Sequence, residues 1–188
     1  MLICGIDEAG RGPLAGPVVA AAVVFKSNKI ITGVRDSKQI SRKTREILYK
    51  EIVQSSVEYK ISVIDNHIID KINILKATML AMENCLLNLS NKPSKIFVDG
   101  NYFKFENDRH LKYNFEKVVK GDEKIFVISA ASIIAKVERD RIMRELNKLY
   151  PQYNFICNNG YPTREHINKI KKYGLTPIHR ISFCKKYL

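Results

Sequence analysis

Apolar and polar positions alternate in patterns that divide the chain into short strands and longer helices. Two apolar runs near the start, Leu2–Ile6 and Val18–Phe25, have the length and composition of buried strands. Residues Val57–Val63 alternate between apolar and polar side chains, which is the period of a half-exposed strand. Two further short runs, Lys95–Val98 and Phe115–Val119, predict strands later in the chain.

Apolar residues that recur every three or four positions predict helices elsewhere. The predicted helices are Lys43–Gln54 behind an N-cap at Ser41, Ile74–Leu89, a long helix capped by Ser129 that ends near Leu149, and a last helix between its cap Thr163 and Gly174. The polar stretches Asp65–Asn73 and Tyr102–Tyr113 are predicted to be a connector and an exposed loop. Because no helix separates the first strands, we expect an α/β fold with a mixed sheet flanked by helices.

Length and charge narrow the functional classes. The 188 residues and the 45% hydrophobic content suit one well-packed domain that covers residues 1–188. Lys and Arg number 32 against 19 acidic residues, which gives a formal net charge of +13 at pH 7. Lys and Arg that neutralise phosphates release counterions, so a protein this basic favours polyanions. We therefore expect a nucleic-acid partner, with a general solubility charge as the alternative.

Cysteines and apolar segments restrict the cellular context. The cysteines Cys4, Cys85, Cys157 and Cys184 are far apart and form no CxxC pair, which argues against a zinc site or a disulfide framework. The start of the chain has no signal-peptide pattern, and the longest apolar run is too short to span a bilayer. We expect a cytoplasmic protein with no membrane partner.

Acidic residues follow three of the predicted strands: Asp7 and Glu8 after the first, Asp99 after Lys95–Val98, and Asp122 in the turn after Phe115–Val119. Ligands of open α/β sheets bind beyond strand ends, and clustered carboxylates need a cation to stay ionised. Oxygen ligands suit Mg²⁺ or Mn²⁺, and two such ions can promote phosphodiester hydrolysis. A single acid after a strand is more often a turn or cap residue, so the prediction depends on all four.

Adjacent strand residues point to opposite faces of a sheet. Asp7 and Glu8 are therefore expected to reach one ion only if the strand ends or bends between them. The glycines directly behind this pair favour such a bend.

A glycine-rich loop, Gly10–Arg11–Gly12, follows the first acid pair. Its spacing and its lack of lysine exclude a Walker A loop and a dinucleotide fingerprint. With its surroundings it resembles the N-terminal signature of ribonuclease HII, the bacterial type 2 ribonuclease H. The resemblance rests on blocks that run through the chain in the family's order: Gly5–Val18, Asp36–Lys38, Val98–Asn101, Lys120–Asp122, Ser129–Asp140, Gly160–Thr163 and His179–Phe183.

The resemblance implies a ribonuclease H-like fold with a small C-terminal helical extension from about residue 155. It implies an endonuclease that cleaves the RNA strand of RNA–DNA hybrids and single ribonucleotides within duplex DNA, leaving 5′-phosphate and 3′-hydroxyl ends. Such an enzyme would remove ribonucleotides and RNA primers during replication and repair. The implied cofactor is Mn²⁺ or Mg²⁺, and the four metal-binding catalytic acids match Asp7, Glu8, Asp99 and Asp122.

Substrate-binding residues are also implied by the resemblance. Gly10, Arg11 and Gly12 match the loop that senses the ribose 2′-hydroxyl through backbone groups, and Tyr161 matches the tyrosine that packs on the neighbouring deoxyribose. The 2′-hydroxyl donates and accepts hydrogen bonds, and backbone freed by glycine can approach it closely. Outside this context, Tyr161 is typical of a turn aromatic. A monomer is expected, and a contact with a replication clamp is a further hypothesis.

Other polar residues are weaker candidates. Ser37, Lys38 and Lys136 are candidates for phosphate contacts, whereas Asp140 is predicted to be a salt-bridged or surface acid on a helix. His166 and His179 are expected to pack or to make polar contacts rather than to act in catalysis. In the unusually long and basic segment Tyr102–Tyr113, no role is assigned to Lys104, Arg109 and Lys112.

Basic residues crowd the last third of the chain, and some are expected to form a phosphate track for the duplex. They are Arg139, Arg141, Arg144, Lys148, Arg164, Lys169, Lys171, Lys172, Arg180, Lys185 and Lys186.

Two alternative functions compete with the metal-dependent ribonuclease. One is a related metal-dependent DNA nuclease on the same fold, such as a junction resolvase. The other is a basic nucleic-acid-binding module without catalysis. The first would cleave duplexes with and without ribose equally, and the second would tolerate the loss of Asp99.

Overall fold

The computed structural model describes residues 1–104 and 114–188. A five-stranded sheet forms its centre, with strands β1 Leu2–Ala9, β2 Val18–Lys26, β3 Glu58–Ile64, β4 Lys95–Asp99 and β5 Phe115–Val118. The strand order is β3-β2-β1-β4-β5, and β2 is antiparallel to both β1 and β3, while β4 is parallel to β1 and β5. The predicted mixed sheet is confirmed.

Helices connect and cover the strands. They are α1 Arg42–Ser55, α2 Asn66–Ile72, α3 Ile74–Leu87, α4 Gly121–Lys124, α5 Phe126–Leu149, α6 Phe155–Asn158, α7 Arg164–Tyr173 and α8 Ile181–Cys184. Ser41 and Thr163 cap α1 and α7 as predicted, because each side-chain oxygen accepts a backbone N–H three residues further on. No helix in the described ranges is long and apolar enough to cross a membrane.

Two apolar layers hold the sheet between helices. On one face, Cys4 and Ile6 of β1 pack with residues of α3, including Met82 and Leu86. On the other face, alternate residues of β2 pack with α5 and α1. A third apolar cluster joins Leu14 and Ala15 to the C-terminal segments around Tyr153 and Ile170. The predicted boundary of an extension near residue 155 stays a prediction.

Three local predictions are wrong. Strand β1 does not stop at Ile6 but continues to Ala9, since it pairs with β2 as far as Ala9 opposite Val19. The polar connector Asp65–Asn73 contains helix α2, whose first turn is capped by the Asp65 carboxylate. Ser129 does not begin the long helix, which starts at Phe126. Its hydroxyl instead donates to the Asp122 carbonyl at 2.7 Å and so joins α5 to α4.

The predicted loop Tyr102–Tyr113 is described only at its start. Residues 102–104 have no regular secondary structure, and Tyr102 and Lys104 are exposed. Arg109 and Lys112 lie outside the described residues.

Candidate active site

The carboxylates meet because two parallel strands end side by side. Ile6 of β1 lies opposite Val98 of β4, so the residues that follow them, Asp7 and Asp99, reach the same edge of the sheet. Beyond this point that edge of β1 has no strand partner among the described residues. A cavity of about 470 Å³ opens there. It is lined by Asp7, Glu8, Ala9, Gly10, Arg11, Gly12, Ser37, Lys38, Arg45, Asp99, Ser132, Lys136 and Tyr161.

Asp7 and Glu8 border this one cavity without the predicted bend between them. Side-chain alternation in β1 places Asp7 on the face of α5 and Glu8 on the face of α3. Because β4 ends beside them, the cavity wraps around the open edge of β1 and reaches both faces. The Glu8 N–H donates to Asp7 Oδ1 at 2.7 Å, and Arg11 Nη1 lies 3.4 Å from Glu8 Oε1.

The three cavity carboxylates disfavour their own ionisation. Burial raises the pKa of Asp7 well above its usual value, and the nearby charges of Glu8 and Asp99 raise it further. Burial raises the pKa of Glu8 despite the opposing effect of Arg11, and repulsion from Asp99 adds to it. At Asp99, burial and the charge of Asp122 raise the pKa, while the Gly121 N–H, 2.7 Å from Oδ1, opposes the shift. This wall therefore favours a cation.

Asp122 lies beside the cavity on the short helix α4. Its side chain is buried and pairs with the exposed Lys38, whose Nζ is 3.2 Å from Oδ2. Burial would lower the pKa of Lys38, but its hydrogen bond and ion pair with Asp122 raise it. Lys38 and Asp99 line the cavity, and Asp122 interacts with both of them without lining it. The structure thus gathers Asp7, Glu8 and Asp99 on one wall and places Asp122 one contact away.

Asp7, Glu8 and Asp99 offer carboxylate oxygens as metal ligands, and such ligands suit a hard divalent cation. Within residues 1–104 and 114–188, however, no three Asp, Glu, His or Cys side chains converge closely enough to form a complete metal site as they stand. Ion binding therefore requires the carboxylates to move closer together. If Asp122 is one of the ligands, its ion pair with Lys38 has to break so that the carboxylate can bind the metal ion.

The glycine loop forms another wall of the same cavity. Gly10 has φ of +100°, and a Cβ there would lie 2.1 Å from Arg139 Nε, so only glycine fits. A Cβ on Gly12 would meet only the Tyr161 ring, 3.6 Å away. Tyr161 is 41% exposed, and its carbonyl accepts from His166 Nδ1 at 2.9 Å. Gly12, Arg11 and Tyr161 therefore present backbone, a cation and a ring to the same space.

Polar residues from α1, α5 and the loop before α1 also line the cavity. The buried Ser37 Oγ lies 2.9 Å from Ser132 Oγ. Asp140 accepts from Lys136 at 2.6 Å and from Arg45 at 3.4 Å, so the predicted salt-bridged acid is observed. Lys136 faces the cavity and its pKa is lowered by burial, although Asp140 opposes the shift.

Sequence reasoning missed the role of two arginines. Arg139 and Arg180 stand among the basic residues predicted to be available to a phosphate track, but both are completely buried. Arg139 donates to the carbonyls of Ala15, Pro17 and Asn159, and Arg180 donates to those of Gly10, Arg11 and Gly16. The HRISF block contains Arg180, but nothing in its spacing indicates that the side chain turns inward.

The two histidines form a buried pair. His166 Nε2 lies 3.1 Å from His179 Nε2, and Thr176 donates its backbone N–H to His179 Nδ1 at 2.9 Å. Because His179 Nδ1 accepts, His179 donates through Nε2 to His166, which in turn donates through Nδ1 to the Tyr161 carbonyl. Their expected packing and polar contacts are observed, and the chain of hydrogen bonds ends at the carbonyl of Tyr161.

Comparisons with known proteins bear on the family and the fold of the chain. The family model described as Ribonuclease HII matches residues 4–186. The chain is 50% identical to a ribonuclease HII of Caldicellulosiruptor bescii over 186 residues, covering 99% of this chain and 88% of the relative. The crystal structure of ribonuclease H2 from Pyrococcus horikoshii OT3 has a TM-score of 0.81 at 30% identity, covering 100% of this chain and 97% of that one. An RNase HII from Archaeoglobus fulgidus, solved as a complex with PCNA, has a TM-score of 0.80 at 26% identity and covers 96% and 94%.

Proposed function

Since the chain belongs to the ribonuclease HII family, and is thus an endoribonuclease of the ribonuclease H type, we propose its substrate and mechanism from the cavity. The enzyme cleaves the RNA strand of RNA–DNA hybrids and single ribonucleotides embedded in duplex DNA. Hydrolysis leaves 5′-phosphate and 3′-hydroxyl ends. The observation that carries the proposal is one cavity with carboxylates on one wall and open glycine backbone on the other.

Asp7, Glu8, Asp99 and Asp122 would hold two divalent ions, Mg²⁺ or Mn²⁺. Bound ions would activate water and stabilise the leaving oxygen, which is the chemistry that phosphodiester cleavage requires. The donor set fits, because every candidate ligand is a carboxylate and because burial, together with repulsion from neighbouring carboxylates, already raises the pKa of Asp7, Glu8 and Asp99. A bound cation would relieve that repulsion. The carboxylates, which do not converge on one point in the described residues, would then move toward the ion.

Substrate recognition would come from the wall that the glycine loop forms. Backbone groups of Gly10, Arg11 and Gly12 contact the 2′-hydroxyl, the one group that separates RNA from DNA at this position. The exposed Arg11 guanidinium can bind an adjacent phosphate, and the Tyr161 ring packs on the neighbouring deoxyribose. Ser37 and Lys38 face the same cavity and would contact substrate phosphate.

Lys38 would take two positions in this scheme. In the structure its ammonium group neutralises Asp122. When a divalent ion takes over that carboxylate, Lys38 is released next to the cavity, where a phosphate oxygen would accept from it. The flexible side chain is exposed and can make this move without disturbing the core.

The partner is RNA-containing nucleic acid, and the enzyme would act as a monomer. The related Archaeoglobus protein was solved bound to PCNA. A contact with a replication clamp is proposed for this chain from that likeness alone.

A single comparison tests the function. The purified chain is incubated with two 20-base-pair duplexes that differ only in one ribonucleotide, with Mg²⁺, Mn²⁺ or EDTA. We expect cleavage at the ribonucleotide with either metal, and no cleavage of all-DNA duplex or in EDTA. Equal cleavage of both duplexes would favour the DNA nuclease, and binding without cleavage under every condition would favour the non-catalytic module.

Circular dichroism in EDTA provides the control for the metal's role. We expect the chain to remain folded, because both apolar layers pack without an ion. Loss of the fold on chelation would make the metal structural and would contradict the two-ion mechanism.

A further inference from the structure

A completely buried arginine lies directly behind the glycine loop. Arg180 Nη2 donates to the Gly10 carbonyl at 2.7 Å and Nη1 donates to the Arg11 carbonyl at 2.9 Å. Its Nε donates to the Gly16 carbonyl at 2.9 Å, so one guanidinium joins both ends of the loop. The segment that carries it is anchored in turn, because Asn66 of α2 donates to the carbonyls of Pro177 and His179.

These bonds fix the direction of two peptide groups. In a trans peptide the C=O and the following N–H point in opposite directions. Since the carbonyls of Gly10 and Arg11 point inward to Arg180, the N–H groups of Arg11 and Gly12 point outward, toward the cavity that both residues line. Neither N–H has a protein acceptor within the described ranges. The loop thus holds out two unpaired donors.

The charge of Arg180 indicates that its hydrogen bonds to the loop have a role beyond packing. Arg180 makes no ion pair with any described carboxylate, and Arg139, equally buried, lies close enough to repel it. Burial lowers the pKa of Arg180 to about 9, so the side chain still carries its charge at neutral pH. Burying a cation without an anion is costly, and an apolar side chain would fill the same space more cheaply. What the guanidinium supplies beyond packing is three donors in one plane.

We propose that Arg180 is a positioning residue for ribonucleotide recognition: it holds the Gly10–Arg11 and Arg11–Gly12 peptides with their N–H groups turned to the substrate. This inference rests on the proposed function, because it assumes that the loop reads the 2′-hydroxyl. Arg180 itself touches no substrate. It acts through the loop, and its loss frees the two peptides to rotate.

Arg180→Lys tests the proposal, because lysine keeps the charge but cannot bridge the three carbonyls in one plane. Binding is measured in EDTA by fluorescence anisotropy, with a duplex carrying one ribonucleotide and its all-DNA counterpart. We expect the preference for the ribonucleotide duplex to fall to nearly one, with less than about a twofold change for all-DNA duplex. With Mg²⁺, kcat/KM should fall about 30- to 300-fold, as for the loss of one or two well-placed donors.

Tyr153→Phe is the matched control. It removes one buried hydrogen bond, from the Tyr153 hydroxyl to the Gly174 carbonyl at 2.8 Å, in the same C-terminal cluster but away from the loop. We expect Tyr153→Phe to lower the thermal midpoint and to leave the ribonucleotide preference intact. An Arg180→Lys variant that is folded and keeps the wild-type preference would overturn the proposal. So would an equal loss of preference in both variants.

Amide hydrogen exchange on the wild-type protein tests the inference even if the variant fails to fold. The Arg11 and Gly12 amides should exchange quickly in the free protein and become protected by the ribonucleotide duplex but not by all-DNA duplex. Slow exchange in the free protein would show that these N–H groups face inward, which contradicts the proposal. A wild-type protein without any ribonucleotide preference would instead refute the proposed function.

Discussion

One wall of the cavity carries acids, the support behind its glycine loop carries arginines, and the two groups are stabilised differently. On the sheet side, burial and neighbouring carboxylates raise the pKa values of Asp7 and Asp99, and neither acid makes an ion pair with a described residue. On the loop side, Arg139 and Arg180 are buried cations that also make none. The carboxylates face open space, whereas each guanidinium donates from all three of its nitrogens to backbone carbonyls.

The difference separates a binding site from its support. Carboxylates that repel one another and face a cavity gain stability from an added ligand. Arginines enclosed by carbonyls have no room for a ligand and act only by holding the backbone. Removing charge from the first wall should therefore cost activity and spare the fold. Changes to the buried arginines or to the backbone that they hold should cost stability as well as activity, whereas a change on the exposed face of the loop should cost recognition alone.

Asp99→Asn tests the carboxylate wall and has the largest expected effect. Metal-dependent cleavage should fall by about a thousandfold or more, roughly 4 kcal/mol, because a metal ligand loses its charge. The asparagine carbonyl can still accept from the Gly121 N–H, and repulsion with Asp7 disappears. The thermal midpoint in EDTA should therefore stay constant or rise, while duplex binding is kept.

Glu145→Gln is the control for this variant. Glu145 is an exposed acid on α5 that pairs only with Lys148 among the described residues, and its side chain is 70% exposed. Its removal should change neither cleavage nor the midpoint. Full cleavage activity in Asp99→Asn would contradict the proposed role of Asp99 as a catalytic metal ligand.

Gly10→Ala tests the loop wall. Its φ is positive and its Cβ would collide with Arg139 Nε and with the Pro17 carbonyl, so we expect a loss of about 3 kcal/mol in the free energy of unfolding. Gly174→Ala is the control, because Gly174 has a similar positive φ but a Cβ added there would meet no atom within 4 Å. Because its ψ of −162° lies in a region nearly restricted to glycine, it should lose about 1 to 2 kcal/mol from backbone strain alone. Urea unfolding measures both, and equal losses would contradict the tight support of the loop.

Gly12→Ala separates recognition from support within the same loop. Its Cβ meets only the Tyr161 ring at an ordinary contact distance, so the free energy of unfolding should change by less than about 0.5 kcal/mol. The methyl group intrudes where the 2′-hydroxyl is proposed to bind, and kcat/KM on the ribonucleotide duplex should fall about 10- to 100-fold, up to roughly 2.7 kcal/mol. Mn²⁺ affinity should remain unchanged. An unaltered ribonucleotide preference would remove Gly12 from the recognition surface.

The sequence is informative where local patterns decide structure. Apolar periodicity places all five strands, and their order makes Asp7 and Asp99 neighbours as expected. It misjudges the end of β1, because pairing with β2 carries the strand through the acids that were expected to break it. It also cannot show that Arg180 is buried. A basic side chain is expected in solvent, and only the tertiary fold brings three inward-facing carbonyls to that position.

The buried histidine pair tests whether the region around Arg180 accepts a further positive charge, and it has the smallest expected effect of these predictions. His179 directly precedes the buried Arg180, and the hydrogen bonds of His166 and His179 require both rings to be neutral. Burial lowers the pKa of His166, and burial together with the charge of His166 lowers the pKa of His179 to about 4. The unfolded chain binds these protons near pH 6.5. The stabilisation by the neutral pair is therefore complete above about pH 6.5. It is lost as the pH falls toward 4, and the loss in the free energy of unfolding is on the order of 2 kcal/mol.

Urea unfolding at pH 7.5 and 5 should show a smaller pH-dependent loss for His179→Asn than for the wild type. His67→Gln, which alters an exposed ring, is the control and should follow the wild type. An equal pH dependence in His179→Asn would mean that this region tolerates a further positive charge beside its arginines.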